Sequence, residues 1–140
     1  MKNRRFVTDA WAILAFLQKE EPAASRVKQL LEEARQKKVE FFLSVINLGE
    51  VYYRVGKTKG EKEAYETLEE IHNLPISILS VDEKRVIEAG KFKMRYPISY
   101  ADAFAAAASY ATGATLLTGD PELFLLQNEI DIEKLYRKLK

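Results

Sequence analysis

Short apolar, β-rich runs alternate along this chain with stretches whose apolar residues recur at helical spacing, and each run passes into a helix within a residue or two. Residues 4–8 form the first run, which ends at Asp9. Ala10, Ile13, Leu14 and Leu17 then keep a helical period. A second helix opens near Pro22, favoured in a first turn where its missing N–H is not needed, and continues through Val27, Leu30, Leu31 and Ala34 to Lys37. Residues 39–43 are nearly all apolar, as a strand covered on both faces should be. Ser44 can cap the following helix, which runs through Val55. The glycine-bounded segment Gly56-Lys57-Thr58-Lys59-Gly60 predicts a polar connection, after which a charged helix spans residues 61–72 until Pro75 stops it. Residues 76–81 give a third strand. Asp82 caps a helix to about Arg95, where Tyr96-Pro97 ends it, and Ser99 opens an alanine-rich helix closed by Gly113. Residues 114–118 make a fourth strand leading into Gly119-Asp120-Pro121 and a short helical turn, and residues 130–135 add an edge strand.

This order leaves few folds open. Strands separated by helices pair in parallel through right-handed crossovers, with the helices covering the sheet. The expectation is an α/β chain in three layers, a central and mainly parallel sheet of four to five strands flanked by helices. At 140 residues it makes one domain, residues 1–140, able to remove roughly 68% of its unfolded surface from water. Ligands of such sheets collect beyond the carboxyl ends of the strands. Asp9 and Asp120 belong at that edge.

Composition narrows the chemistry. There is no cysteine and one histidine, so a thiolate zinc site, a disulfide framework and a histidine-rich metal centre are excluded. Any metal must be held by oxygen. The net charge of +1 gives no global attraction for a polyanion, so a nucleic acid would need a local basic surface. The longest uncharged stretch, residues 103–119, is too short and polar to span a membrane, and the N-terminus lacks the pattern of a secretory signal. A cytoplasmic protein is expected.

Four acids stand out, and each has a plain structural account. Asp9 can cap the helix that follows it, Asp102 lies three residues after Ser99 as in a capping box, Glu50 and Arg54 can pair one turn apart, and Asp120 suits a Gly-Asp-Pro turn. Taken together they mean more. Asp9 and Asp120 follow strands of one sheet, and Glu50 and Asp102 lie in helices just beyond that edge. Two carboxylates about 4 Å apart repel by roughly 4 kcal/mol at an effective dielectric of 20. A hard divalent cation, Mg²⁺ or Mn²⁺, relieves that repulsion. Such an ion makes water a better nucleophile at neutral pH, and its charge stabilises an attacked phosphodiester and the departing oxygen.

Two other phosphate chemistries fail on spacing. A phosphate-binding loop around Gly56-Lys57-Thr58 needs glycine five positions earlier, where Val51 stands, and an aspartate-based phosphotransferase needs an acid at Trp11.

The chain resembles the PIN-domain family, especially its small VapC-type toxins. The matching pieces are Phe6-Val7-Thr8-Asp9, Ser44-Val45-Ile46-Asn47-Leu48-Gly49-Glu50, Ser99-Tyr100-Ala101-Asp102-Ala103 and Leu116-Leu117-Thr118-Gly119-Asp120, in the family's order and across nearly the whole chain. The resemblance implies a PIN-like fold and a Mg²⁺- or Mn²⁺-dependent ribonuclease that cuts single-stranded or structured RNA. Asp9, Glu50, Asp102 and Asp120 correspond to its acidic quartet, with Thr8, Ser44, Asn47 and Thr118 beside the acids as supporting groups. It further implies a homodimer and, for a toxin of a type II toxin–antitoxin pair, a cognate antitoxin protein. Many relatives carry Ser or Thr directly after the first acid, where this chain has Ala10, so that hydroxyl is missing. Arg54, Lys57 and Lys59, which follow Glu50, are the candidates for contacting RNA phosphates. Trp11, Phe16, Tyr52, Tyr53 and Phe92 are assigned to the core or a subunit interface. The competing reading is a catalytically silent module that keeps the fold and binds RNA or a partner; the intact quartet argues against it, since a pure RNA binder gains nothing from clustered negative charge.

Overall fold

A computed structural model describes residues 4–138. Five strands, β1 (Arg5–Thr8), β2 (Glu40–Ser44), β3 (Ser77–Leu79), β4 (Thr115–Thr118) and β5 (Ile132–Lys134), form one sheet in the order β3-β2-β1-β4-β5. Every pairing is parallel, and Thr8 lies in register with Leu43 on one side and Leu117 on the other. β1 is central. The chain adds β2 and β3 on one side of β1 and later β4 and β5 on the other. The order therefore reverses between β1 and β4, which is where open parallel sheets leave a crevice for ligands.

Strand side chains alternate between the two faces. Val7 and Leu116 join the buried alanines 105–108 of α6 (Tyr100–Thr112), with Ala89 and Phe92 of α5 (Glu83–Arg95). Their neighbours Phe6 and Leu117 pack with Phe41 against Val27, Leu30 and Leu31 of α2 (Ala23–Arg35). Leu43 joins a cluster built from α1 (Ala10–Leu17), α3 (Val45–Lys59) and α4 (Glu61–His72). The result is the expected three layers. The alanine run serves packing, since side chains this small let α6 lie close to the sheet. A last short turn, α7 (Pro121–Phe124), follows β4.

One expected connection is helix instead. α3 does not end at Val55 but continues through Gly56, Lys57, Thr58 and Lys59, and Gly60 then reverses the chain at φ 95°. Gly56 is a packing glycine: a Cβ there would sit 3.6 Å from the Cβ of Ala64 across the α3/α4 hairpin. The Thr58 hydroxyl donates back to the Arg54 and Val55 carbonyls, so it too is satisfied within the helix. Smaller differences are that β3 is shorter than residues 76–81 and that α2 stops at Arg35. Tyr53 lies on the surface at 53% exposure, outside the core. Among the described residues, no helix is long and apolar enough to cross a membrane.

Candidate active site

The structure brings the four sequence-predicted acids to the carboxyl edge of the sheet, and Asp9, Asp120 and Glu50 also do the plain jobs that local chemistry foretold, whereas the Asp102 carboxyl turns to Asp120 instead of completing a capping box. Asp9, directly after β1, is fully buried and caps α1: its Oδ1 accepts the Ala12 N–H at 2.9 Å. Asp120, after β4, caps α7 by accepting the Glu122 N–H at 3.0 Å. Asp102 stands in the first turn of α6, where its N–H donates to Ser99 Oγ at 3.1 Å. Glu50 Oε2 meets the Arg54 guanidinium at 3.2 Å, one turn along α3. Capping and convergence are thus compatible. Helix starts crowd the edge where parallel strands end, so acids that cap them are delivered to one place.

The supporting residues differ in what they touch. The Thr118 hydroxyl donates to Asp9 Oδ2 and accepts the Asp120 N–H at 3.0 Å, so one side chain ties two of the acids together. Asn47, wholly buried, donates through Nδ2 to the Ala101 carbonyl at 3.1 Å, locking α3 to α6 beside Asp102. Ser44 caps α3 by accepting the Ile46 N–H at 3.2 Å. Thr8 donates to the Asp9 carbonyl at 3.2 Å, away from its carboxylate.

Arg54 compensates Glu50, but Asp9, Asp102 and Asp120 have no cationic partner within 4.0 Å among the described residues. Burial pushes the Asp9 carboxyl up to about 7 against the pull of its Thr118 and Ala12 hydrogen bonds, and the charges of Asp120 and Glu50 add to the rise. Asp102 is pushed up to about 8, first by burial, then by its hydrogen bond to Asp120 and the charges of Asp120, Asp9 and Glu50. Two buried oxygens, Glu50 Oε1 and Asn47 Oδ1, have no hydrogen-bond partner among the described residues. Both are acceptors only, so a positive or donating group is what the site lacks.

One acid had not been singled out. Asp102, Asp120 and Glu122 each present a carboxylate oxygen within 4.8 Å of the others. Glu122, two residues after Asp120, reads in sequence as an ordinary acid in a helix's first turn. Its only signal was its distance from Asp120.

The sequence model of the PIN domain matches residues 6–127. This chain belongs to the PIN-domain family. No curated protein matches it at a significant level by sequence. Solved structures do resemble this PIN domain. VapBC2 from Rickettsia felis, solved with a DNA fragment from its promoter, is 18% identical over 94% of this chain and 99% of that chain, with a TM-score of 0.73. A toxin–antitoxin complex from Klebsiella pneumoniae gives 13% identity, 94% and 98% coverage and a TM-score of 0.69. VapC20 from Mycobacterium tuberculosis, described as a toxin cleaving the sarcin-ricin loop, gives 15%, 86% and 93%, and 0.67. At these identities the likeness is one of fold.

The wall of the site is also explained. The Trp11 ring lies on Gly119, where a Cβ would come within 2.2 Å of it, so any larger residue immediately before Asp120 must displace the ring. Lys59 sits 3.8 Å from Glu63, whereas Arg54 and Lys57 line one groove, and of the two Arg54 meets an acid of the site, Glu50.

Proposed function

We propose that this PIN domain is a metal-dependent ribonuclease, the toxin of a type II toxin–antitoxin pair, acting in the cytoplasm on single-stranded or structured RNA. The observation that carries the reading is the close set Asp9, Glu50, Asp102 and Asp120, the first three of them buried, together with the unpartnered Glu50 Oε1. A fold does not gain stability from such a set. It fits a hard cation, because every available donor is oxygen and the orphaned atoms are acceptors. Asp9, Glu50, Asp102 and Asp120 would hold Mg²⁺ or Mn²⁺, with Glu122 beside them. When bound, the ion supplies charge against the attacked phosphate and acidifies water for attack.

The chain's own residues prepare that site. Thr118 and the Ala12 N–H hold both oxygens of Asp9, fixing its carboxylate plane, and Asn47 holds α6 so that Asp102 stays opposite Asp120. Without a cation, Asp9 and Asp102 keep protons near neutral pH, and those protons leave when positive charge arrives. Support for RNA as substrate comes from the sarcin-ricin-loop activity of the Mycobacterium tuberculosis relative. Support for a cognate antitoxin comes from the Klebsiella pneumoniae toxin–antitoxin complex. A homodimer is supported by exposed Ile87 and Met94, seven residues apart on one face of α5. Light scattering decides this last point: a mass of 16.0 kDa at micromolar concentration would mean a monomer.

The deciding experiment is cleavage of a mixed single-stranded RNA pool with and without Mn²⁺, by the wild-type chain and by Asp102→Asn. Wild type should cleave only with the ion. Asp102→Asn should fold, melt at or above the wild-type temperature in EDTA and cleave nothing. A folded Asp102→Asn protein cleaving at the wild-type rate would end the proposal, and a wild-type chain that binds RNA but never cuts it would favour the silent module.

A further inference from the structure

Of the four acids, Asp120 has the least packing to hold it. Asp9, Glu50 and Asp102 are buried, whereas Gly119 and Asp120 are half-buried in the turn that leaves β4. That turn depends on contacts made just before the acid. Thr118 Oγ1 holds the Asp120 N–H at 3.0 Å, and Gly119 lies against the Trp11 ring with no room for a Cβ between them. The first contact is internal to the turn. The second is only as firm as the indole, which is itself half-buried.

What steadies the indole comes from the far end of the sequence. After β5 the chain forms a strap: the Leu135 N–H donates to the Thr118 carbonyl at 2.8 Å, the Ala23 N–H to the Tyr136 carbonyl at 3.0 Å and the Lys138 N–H to the Glu21 carbonyl at 2.9 Å. The strap is thus fastened both to the end of β4 and to the turn before α2. It delivers Arg137 to Glu20 at 3.0 Å, with the guanidinium carbon 5.1 Å from the centre of the Trp11 ring. A cation at that range is attracted to the face of an indole. Trp11 stands in the first turn of α1 and Glu20 follows its end, so one guanidinium spans the helix. A second arginine clamps the same region without reaching the ring. Arg26 of α2 donates to both Glu133 oxygens on β5, at 2.6 and 2.9 Å.

We propose that Arg137 is a positioning residue for the ion site: by bridging Glu20 and the Trp11 ring it keeps the indole seated on Gly119, and so keeps Asp120 within reach of Asp102. The inference rests on the ion site of the nuclease reading and adds control of that site by a residue that pairs with none of its acids. Linkage gives the effect a size. Seating the indole in advance improves ion affinity by no more than the seating contact is worth, and an exposed cation–ring contact corresponds to a factor of about two to five.

The test is calorimetric titration of the full chain with Mn²⁺, at a temperature where circular dichroism shows every variant folded. Arg137→Gln should weaken binding by about threefold, and Arg137→Lys, which keeps a positive charge beside Glu20 and the ring, should lose less. Arg26→Gln should melt earlier but bind Mn²⁺ as the wild type does, because its clamp bypasses the indole. In a Trp11→Leu background Arg137→Gln should have no further effect, since the ring it acts through is gone. Trp11 is the sole tryptophan, which supplies a readout that needs no ion. Its emission in EDTA should change in Arg137→Gln and stay as in the wild type in Arg26→Gln. Wild-type Mn²⁺ affinity in Arg137→Gln overturns the inference and leaves the ion site standing. An equal loss in Arg26→Gln also overturns it, by making the effect one of general stability. So does an undiminished loss from Arg137→Gln in the Trp11→Leu background, which would show a route around the ring. A wild-type chain that binds no Mn²⁺ sinks the ion site and this inference together. If the variants behave as expected while the wild-type chain never cuts RNA, the positioning role stands and the nuclease reading falls.

Discussion

The two ends of one sheet treat carboxylates in opposite ways. At the amino end, Arg5 and Glu40 are register neighbours on β1 and β2 and meet at 3.0 Å with both side chains more than half exposed. Each charge there has its own counter-charge and water besides, and such pairs contribute at most about 1 kcal/mol. At the carboxyl end, a few residues along the same β1, Asp9 is fully buried among other acids, and the cation nearby, Arg54, reaches only Glu50. The first arrangement is what a surface settles into. The second persists against its own repulsion, which is why function is sought there.

Removing a member of the second arrangement should have the largest effect. Asp9→Asn and Asp120→Asn should each abolish Mn²⁺ binding in calorimetric titration, whereas Glu40→Ala should leave it untouched. Unchanged binding in both aspartate variants would mean the acids do not share an ion.

Next comes pH. In the unfolded chain both carboxyls ionise near pH 4. In the folded apo-protein Asp9 holds its proton to about 7 and Asp102 to about 8. The folded state therefore binds more protons across this window, so stability is fully present below pH 4 and falls as pH rises through 7 and 8. For Asp9 alone the loss is on the order of 4 kcal/mol. Urea unfolding in EDTA should show the chain more stable at pH 5.5 than at pH 8.5, and Mn²⁺ should flatten the difference. A stability that rose with pH in EDTA would contradict the burial of uncompensated acid.

Gly119→Ala should be smaller, about 1–3 kcal/mol, since the new Cβ must displace the Trp11 ring. Because Asp120 is the next residue, the same variant should also lose Mn²⁺ affinity. A variant that unfolds at the wild-type urea concentration would show the ring free to move. Smallest of all, Glu40→Ala should change stability by less than about 1 kcal/mol, and less still in high salt.

Much of this was legible because each acid followed a recognisable strand or helix start. Asp9 and Asp120 needed only the alternation of strands and helices to be assigned to one edge, and Ser44 and Ser99 marked their helices as caps. What escaped depended on neighbours distant in sequence. Gly56 looked like a helix breaker because its partner, Ala64, is visible only once α4 folds back. Glu122 looked like routine helix-start chemistry, and Tyr53 was assigned to the core or a subunit interface, of which the structure rules out the core. Arg137 could not be linked to the site from sequence, since its place depends on a pairing with the turn before α2.

The continuation of α3 through Lys59 makes this helix a measuring rod. Glu50 and Lys57 lie two turns apart on one face, about 10 Å along the axis. A flexible connection would let the two side chains drift relative to each other, but a helix does not. The interval between Glu50 and Lys57 is then a property of the backbone, set by residue count. Inserting one residue between Glu50 and Lys57 would swing one of them by about 100° around the axis, so the spacing can be changed by whole turns or not at all.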